Sequence, residues 1–152
     1  MDEILNYVKL TDSVGTAGQP TAEQIGTIAA SGYSVVVNLA VPDSHNAVEN
    51  EGSLVAANGM TYVNIPVRWE APTLGDLQRF IRVMRALDGE QVLVHCAMNL
   101  RASAFMYHYL TAEKGLPPDR ARSPILDRWE PKMDAVWKRF LALPVEVVRD
   151  GR

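Results

Sequence analysis

The chain is predicted to be an α/β domain with a mostly parallel central sheet flanked by helices on both faces. Three observations carry that expectation. Strand-like and helix-like segments alternate along the 152 residues in a βαβαβαβα pattern. The strand-like runs are apolar on successive residues rather than on every second one, as strands covered on both faces are. A content of 47% hydrophobic and 22% charged residues is that of a soluble globular protein, and the length suffices for a core without disulfides or metals.

Each element has a local cause. Thr21-Ala22-Glu23-Gln24 reads as a capping box, with Thr21 at the N-cap and Gln24 at the third helical position. The helix it opens stops near Gly32. Ser34-Val35-Val36-Val37-Asn38-Leu39 is the second, buried strand, and Pro42-Asp43-Ser44-His45-Asn46 is a loop. A helix is expected from about Ala47, with Val48, Leu54 and Val55 turned inward and its end at Asn58-Gly59. Thr61-Tyr62-Val63-Asn64-Ile65 is a strand broken by Pro66. Residues 67–72 form a loop holding Arg68, Trp69 and Glu70. Thr73 caps a helix that carries Leu74, Leu77, Ile81, Met84 and Leu87 at helical spacing and closes at Gly89. Asp76, in its first turn, serves the positive end of that helix. Gln91 to His95 is a strand. A long helix is expected from about Arg101 to Lys114, stopped by Gly115 and Pro117-Pro118. A last helix is expected to start at Pro131, with Met133, Val136, Trp137 and Phe140 facing inward.

Ligands of such sheets bind beyond the carboxyl ends of the strands. Loops 41–46, 66–72 and 96–101 all follow strands at that edge.

Composition excludes several classes. A net charge of −3 argues against a general nucleic-acid binder. The clusters Arg79/Arg82/Arg85 and Arg120/Arg122/Arg128 read as solvated surface. A lone cysteine forms no internal disulfide, which fits a reducing, cytoplasmic setting. Met1-Asp2-Glu3 is acidic where a signal peptide is basic, and no run of about 18 apolar residues predicts a membrane span. Residues 1–152 are read as one domain.

The chemistry concentrates in Val94-His95-Cys96-Ala97-Met98-Asn99-Leu100-Arg101-Ala102-Ser103. A strand runs into a cysteine, a short loop, an arginine and a helix. Loop amides and a helix N-terminus make an anion cradle, and an arginine fork clasps two oxygens of the anion. The same positive surroundings favour thiolate over thiol. Cys96 is therefore read as the nucleophile, the amides from Ala97, Met98, Asn99, Leu100 and Arg101 as the cradle, and Arg101 as the oxyanion clamp. An arginine is otherwise poorly placed at a helix N-terminus, and a bound anion removes that conflict. His95 points to the opposite face from Cys96, so a supporting role in orienting the loop is expected of it. Ser103, seven residues after Cys96, is a candidate to hydrogen-bond the sulfur. Asn99 is the loop residue best able to adopt a left-handed backbone. A proton donor for a leaving group is expected from an opposing loop. Glu70, beside Trp69 and partly desolvated by it, is the first choice, and Asp43 the second. Trp69, Tyr107, Trp129 and Trp137 are candidates for either the pocket wall or the core, and loops 41–46, 66–72 and 116–130 are expected to set pocket depth.

His95-Cys96-x4-Arg101 resembles the signature of the cysteine-dependent protein tyrosine phosphatases of the dual-specificity type, with four intervening residues in place of the usual five. Thr16-Ala17-Gly18-Gln19-Pro20, Val36-Val37-Asn38-Leu39 and Tyr62-Val63-Asn64-Ile65-Pro66-Val67 resemble one short-loop branch, the beta-lactamase hydrolase-like phosphatases. The resemblance covers roughly residues 7–143. It implies a cysteine-phosphatase-like fold and a phosphate-binding P-loop. It also implies hydrolysis of phosphomonoesters, phosphotyrosine or related, through a phosphocysteine, with no metal and no cofactor. The partner implied is a phosphorylated protein or a small phosphorylated substrate, with phosphate, sulfate or vanadate as loop ligands. The loop is one residue short, lacks glycine, and carries its hydroxyl at Ser103 rather than directly after Arg101.

Two other functions fit the same residues. One is a rhodanese-like sulfurtransferase carrying a persulfide on Cys96, since such domains often place an arginine after four intervening residues. The other is a phosphate-binding module without catalysis.

Overall fold

The computed structural model describes residues 1–149. Five strands form one sheet in the order β1-β2-β5-β3-β4. Strands β1 (Val8–Lys9) and β2 (Val14–Ala17) make an antiparallel hairpin at one edge. The remaining pairings, among β2, β3 (Val35–Asn38), β4 (Thr61–Asn64) and β5 (Val92–His95), are all parallel. The mostly parallel sheet is as predicted. Strand β5 lies at its centre, with Val94 paired to Thr16 on one side and Val37 on the other.

The run of valines explains itself in this arrangement. Val35, Val37, Val92 and Val94 pack against Leu77 and Phe80 of α3 (Leu74–Ala86), Phe105 of α4 (Leu100–His108) and Trp137 of α6 (Ala135–Leu141). Val36 and Leu93 face the other way, onto Ile25 and Ile28 of α1 (Ala22–Ala30) and Val55 of α2 (Glu51–Ala57). Both faces of the sheet are covered, and each buried Val, Leu or Phe contributes roughly 1.5–3 kcal/mol. Two shorter helices, α5 (Pro124–Trp129) and α7 (Val145–Arg149), complete the larger face. Among the described residues, no helix is long and apolar enough to cross a membrane.

The local signals fix the helix starts they belong to. Thr21 accepts from Gln24 N while the Gln24 side chain accepts from Thr21 N. Thr73 and Asp76 form a second reciprocal capping box. Gly115, at φ +70°, ends the helix run where predicted.

Three expectations need correction. No helix starts at Ala47: Asn50 adopts φ +60°, so α2 begins at Glu51, and Val48 lies half-buried in the preceding turns. The helix expected from about Arg101 to Lys114 runs over Leu100–Glu113 as expected, but its last turn, Tyr109–Glu113, is a π-helix. Pro131 does not open the last helix. It sits in a 3-10 turn, Glu130–Lys132, and α6 begins at Ala135 because the Asp134 carboxylate accepts from Trp137 N at 2.9 Å. The arginine clusters are surface residues with acidic neighbours: Arg85 pairs with Glu113 at 2.8 Å, and Arg122 with Asp127 at 2.7 Å and with Glu130.

Candidate active site

Cys96 leaves the carboxyl end of β5, the central strand, and meets a cavity of about 430 Å³. Val41, Asp43, Ser44 and His45 line it from the loop after β3. Arg68, Trp69 and Glu70 line it from the loop after β4, and Cys96, Ala97, Met98, Leu100 and Arg101 from the loop after β5. The three loops expected to converge do so. No residue of 116–130 lines the cavity, contrary to expectation.

The loop after Cys96 turns without glycine because Asn99 takes the left-handed conformation, φ +71°. The Asn99 amide donates to Asn6 O at 2.8 Å and to Thr16 Oγ1 at 3.0 Å, which holds the turn. The loop carbonyls are engaged from outside. Cys96 O accepts from His95 Nδ1 at 3.2 Å. Ala97 O accepts from Gln19 N and from Asn46 Nδ2, each at 3.0 Å. Met98 O accepts from Asn6 Nδ2 at 3.0 Å. In a trans peptide unit the N–H points opposite to the C=O. Turning the Cys96 and Ala97 carbonyls outward therefore turns the amides of Ala97 and Met98 toward the cavity, as donors for an anion.

Arg101 stands in the first turn of α4 and is only 6% exposed. Its Nη1 donates to Val67 O at 2.8 Å, and its guanidinium carbon lies 5.9 Å from the Trp69 ring centre. Trp69 is backed by Trp129 and Trp137, at centroid distances of 5.5 and 5.3 Å, and Trp137 Nε1 donates to Trp69 O. Trp69 is thus wall, while Trp129 and Trp137 are the core behind it. Tyr107 packs edge-on against His108. Among the described residues no carboxylate pairs with Arg101. A buried guanidinium at the positive end of a helix, without a counter-ion, is a site for an anion.

Ser103 differs from expectation. Its hydroxyl donates to Leu100 O at 2.8 Å, the back-bond of a helical serine, and not to the sulfur. Glu70 and Asp43 both reach the cavity rim. Both are solvent-exposed, so the desolvation of Glu70 by Trp69 is not present. Among the described residues, no three His, Cys, Asp or Glu side chains gather as a metal site.

His95 lies on the face opposite Cys96, as strand alternation requires, and there it meets a residue the sequence reading missed. His95 Nε2 is 2.5 Å from Glu51 Oε2, and Glu51 Oε1 accepts from Gln19 Nε2 at 2.8 Å. All three residues are buried. The sequence carried no local signal for this pairing, because a buried histidine is equally well satisfied by a backbone carbonyl, as His108 is by Phe140 O.

Comparison with known proteins gives consistent likenesses. Residues 9–136 match the family model PTP-NADK, described as a DSP-PTPase phosphatase fused to NAD+ kinase. The Beta-lactamase hydrolase-like protein of Xylella fastidiosa is 31% identical over 102 residues, which are 64% of this chain and 23% of that protein. The match thus spans about a quarter of that curated relative. A DUF442 protein of Shewanella putrefaciens CN-32, provisionally named a phosphatase, is 31% identical with a TM-score of 0.85, over 98% of this chain and 95% of that one. P. aeruginosa TpbA, solved in complex with pTyr, shares the fold at 12% identity and a TM-score of 0.73, over 95% and 88% of the two chains.

Proposed function

The chain belongs to the PTP-NADK family of DSP-PTPase-like phosphatases, and from that membership we propose that it hydrolyses phosphomonoesters through a phosphocysteine on Cys96. The observation that carries this reading is the buried Arg101 guanidinium, without a carboxylate partner among the described residues, on the wall of the cavity that Cys96 also lines. A phosphoryl group supplies the missing negative charge and the planar set of oxygens that the fork clasps.

In the first step the Cys96 thiolate attacks phosphorus. The S–P bond forms as the bond to the leaving oxygen breaks, and Glu70 gives that oxygen its proton. The amides of Ala97 and Met98 and the Arg101 fork hold the equatorial oxygens as charge builds on them. In the second step the Glu70 carboxylate takes a proton from water, the water oxygen attacks phosphorus, and the thiolate leaves with the S–P electrons. Asp43 on the facing loop is the alternative donor. His95 and Asn99 hold the loop, and Ser103 takes no part in the transfer.

The substrate read here is an aryl phosphate, phosphotyrosine or a small phosphorylated molecule. The pTyr bound by P. aeruginosa TpbA supports that choice. The setting is the reducing cytoplasm, where an unpaired thiolate persists, and residues 1–152 act as one catalytic domain.

Turnover of p-nitrophenyl phosphate tests the reading. Cys96→Ser is expected to abolish turnover while retaining vanadate binding. Glu70→Gln is expected to lower the rate by about 10²-fold for p-nitrophenyl phosphate's less activated relatives, with Asp43→Asn milder. Turnover retained in Cys96→Ser, or thiosulfate-to-cyanide sulfur transfer in place of phosphatase activity, would overturn it.

A further inference from the structure

Glu51 has no place in the phosphoryl chemistry, yet it is buried, hydrogen-bonded through both oxygens, and tied to the strand that carries Cys96. The geometry points to Glu51 as a positioning residue for the cradle. Through His95 it fixes the orientation of the Cys96 peptide, and through Gln19 it ties that strand to the Gly18-Gln19-Pro20 turn.

The proton arrangement carries this inference. Cys96 O can only accept, so His95 Nδ1 must hold a proton to make its 3.2 Å bond. His95 Nε2 and Glu51 Oε2, 2.5 Å apart, share one proton between them. Wherever that proton resides the pair is neutral overall, so a buried acid and a buried base coexist without a net charge behind the thiolate. Remove the acid, and the neutral ring is free to carry its proton on Nε2. The lone pair on Nδ1 would then face the Cys96 carbonyl oxygen and repel it. The peptide would lose its anchor, and the Ala97 amide its aim at the cavity.

Gln19 locks the other oxygen. Its Nε2 donates to Glu51 Oε1 at 2.8 Å and to Pro20 O at 3.0 Å, while its backbone N–H donates to Ala97 O at 3.0 Å. One residue therefore grips both the acid and the loop. Burial in a low-dielectric pocket strengthens each of these bonds and raises the cost of breaking the set.

The role rests on Cys96 being a reactive thiolate, and the test separates the two claims. Alkylation of Cys96 by iodoacetamide across pH, followed by mass spectrometry, reads the thiolate without any phosphate ester. The charged groups around the cavity (Arg101 from α4, Asp43 and His45, Arg68 and Glu70) are the same in every variant, so differences between profiles report on Glu51. Glu51→Ala is expected to slow alkylation near neutral pH by about tenfold and to shift the profile to higher pH by about one unit. The kcat for p-nitrophenyl phosphate should fall by a larger factor than KM rises.

Glu51→Gln should restore most of both, because its amide can donate to Nε2 and keep the proton on Nδ1. Glu51→Met fills the space without bonding and should behave as Glu51→Ala, which covers the case that the alanine variant does not fold. In a His95→Asn background, where the asparagine amide itself donates to Cys96 O, Glu51→Met should cost nothing further. A wild-type profile in Glu51→Ala and Glu51→Met, with only the melting temperature lowered, would overturn the positioning role. A wild-type Cys96 that alkylates like an ordinary thiol would overturn the thiolate reading instead.

Discussion

The Arg101 guanidinium lies 5.9 Å from the centre of the Trp69 ring while its Nη1 donates to Val67 O at 2.8 Å. One contact fixes the plane of the fork and the other its reach. Trp69→Ala removes the stacking surface, worth roughly 0.5–2 kcal/mol for a partly desolvated cation on tryptophan. The expected result is a fall of about 2- to 30-fold in kcat/KM for p-nitrophenyl phosphate, with Trp69→Phe in between. Arg101→Lys keeps the charge and loses the fork, and should cost about 10²-fold or more. Steady-state kinetics on the three variants checks the order.

Asn99 combines a left-handed backbone with two side-chain hydrogen bonds, to Asn6 O and Thr16 Oγ1. Asn99→Gly loses the bonds and keeps the backbone. Asn99→Ala loses both and adds roughly 1–2 kcal/mol of strain. Urea denaturation should rank stability as wild type, then Gly, then Ala. A more stable alanine variant would remove the backbone argument.

Gly18 faces the loop from below. A Cβ there would stand 2.9 Å from Ala97 O, closer than real contacts allow, and Ala97 O is backbone already held by two donors. Gly18→Ala should destabilise by about 1–3 kcal/mol and lower kcat/KM. Gly75→Ala is the control, since its Cβ meets only Thr73 Oγ1 at 3.8 Å within α3. That substitution should stabilise by up to about 1 kcal/mol with unchanged kinetics.

His108 is buried and donates from Nε2 to Phe140 O at 2.8 Å. Burial pulls its pKa below the ordinary histidine value, against the opposing effect of the Phe140 carbonyl. The unfolded chain therefore binds this proton more readily than the folded one. Stability from neutral His108 is full above the unfolded value, about 6.5, and is lost as pH falls below it toward the folded pKa. The urea midpoint should drop between about pH 7 and pH 5, and His108→Gln should flatten that drop. An unchanged slope in the variant would assign the acid sensitivity elsewhere.

What was legible in the sequence was local. Thr21 with Gln24 starts α1, and Thr73 starts α3, because a cap needs only residues three apart. The valine runs marked β3 and β5 because burial on both faces leaves no polar phase to read. Cys96, Arg101 and Asn99 declared themselves through their spacing in one loop. The misses were either competing local signals or long-range pairings. Asp134 outcompeted Pro131 as a helix start, and Asn50 delayed α2 by a left-handed turn. Ser103 had its own backbone acceptor one turn back. Glu51 lies 44 residues from His95, and nothing near either residue specifies the other.

The loop carbonyls are held by Asn6, Gln19, Asn46 and His95, which come from four separate stretches of chain. The Asn6 contact to Met98 O alone closes a span of 92 residues. Contacts of such separation carry a large loop-closure cost and form late. A partly folded chain would therefore lack the turned-in loop around Cys96, and the anion cradle would exist only in the completed tertiary structure. The site is therefore a product of the whole fold, and no excised fragment that keeps only β5 and α4 would contain it.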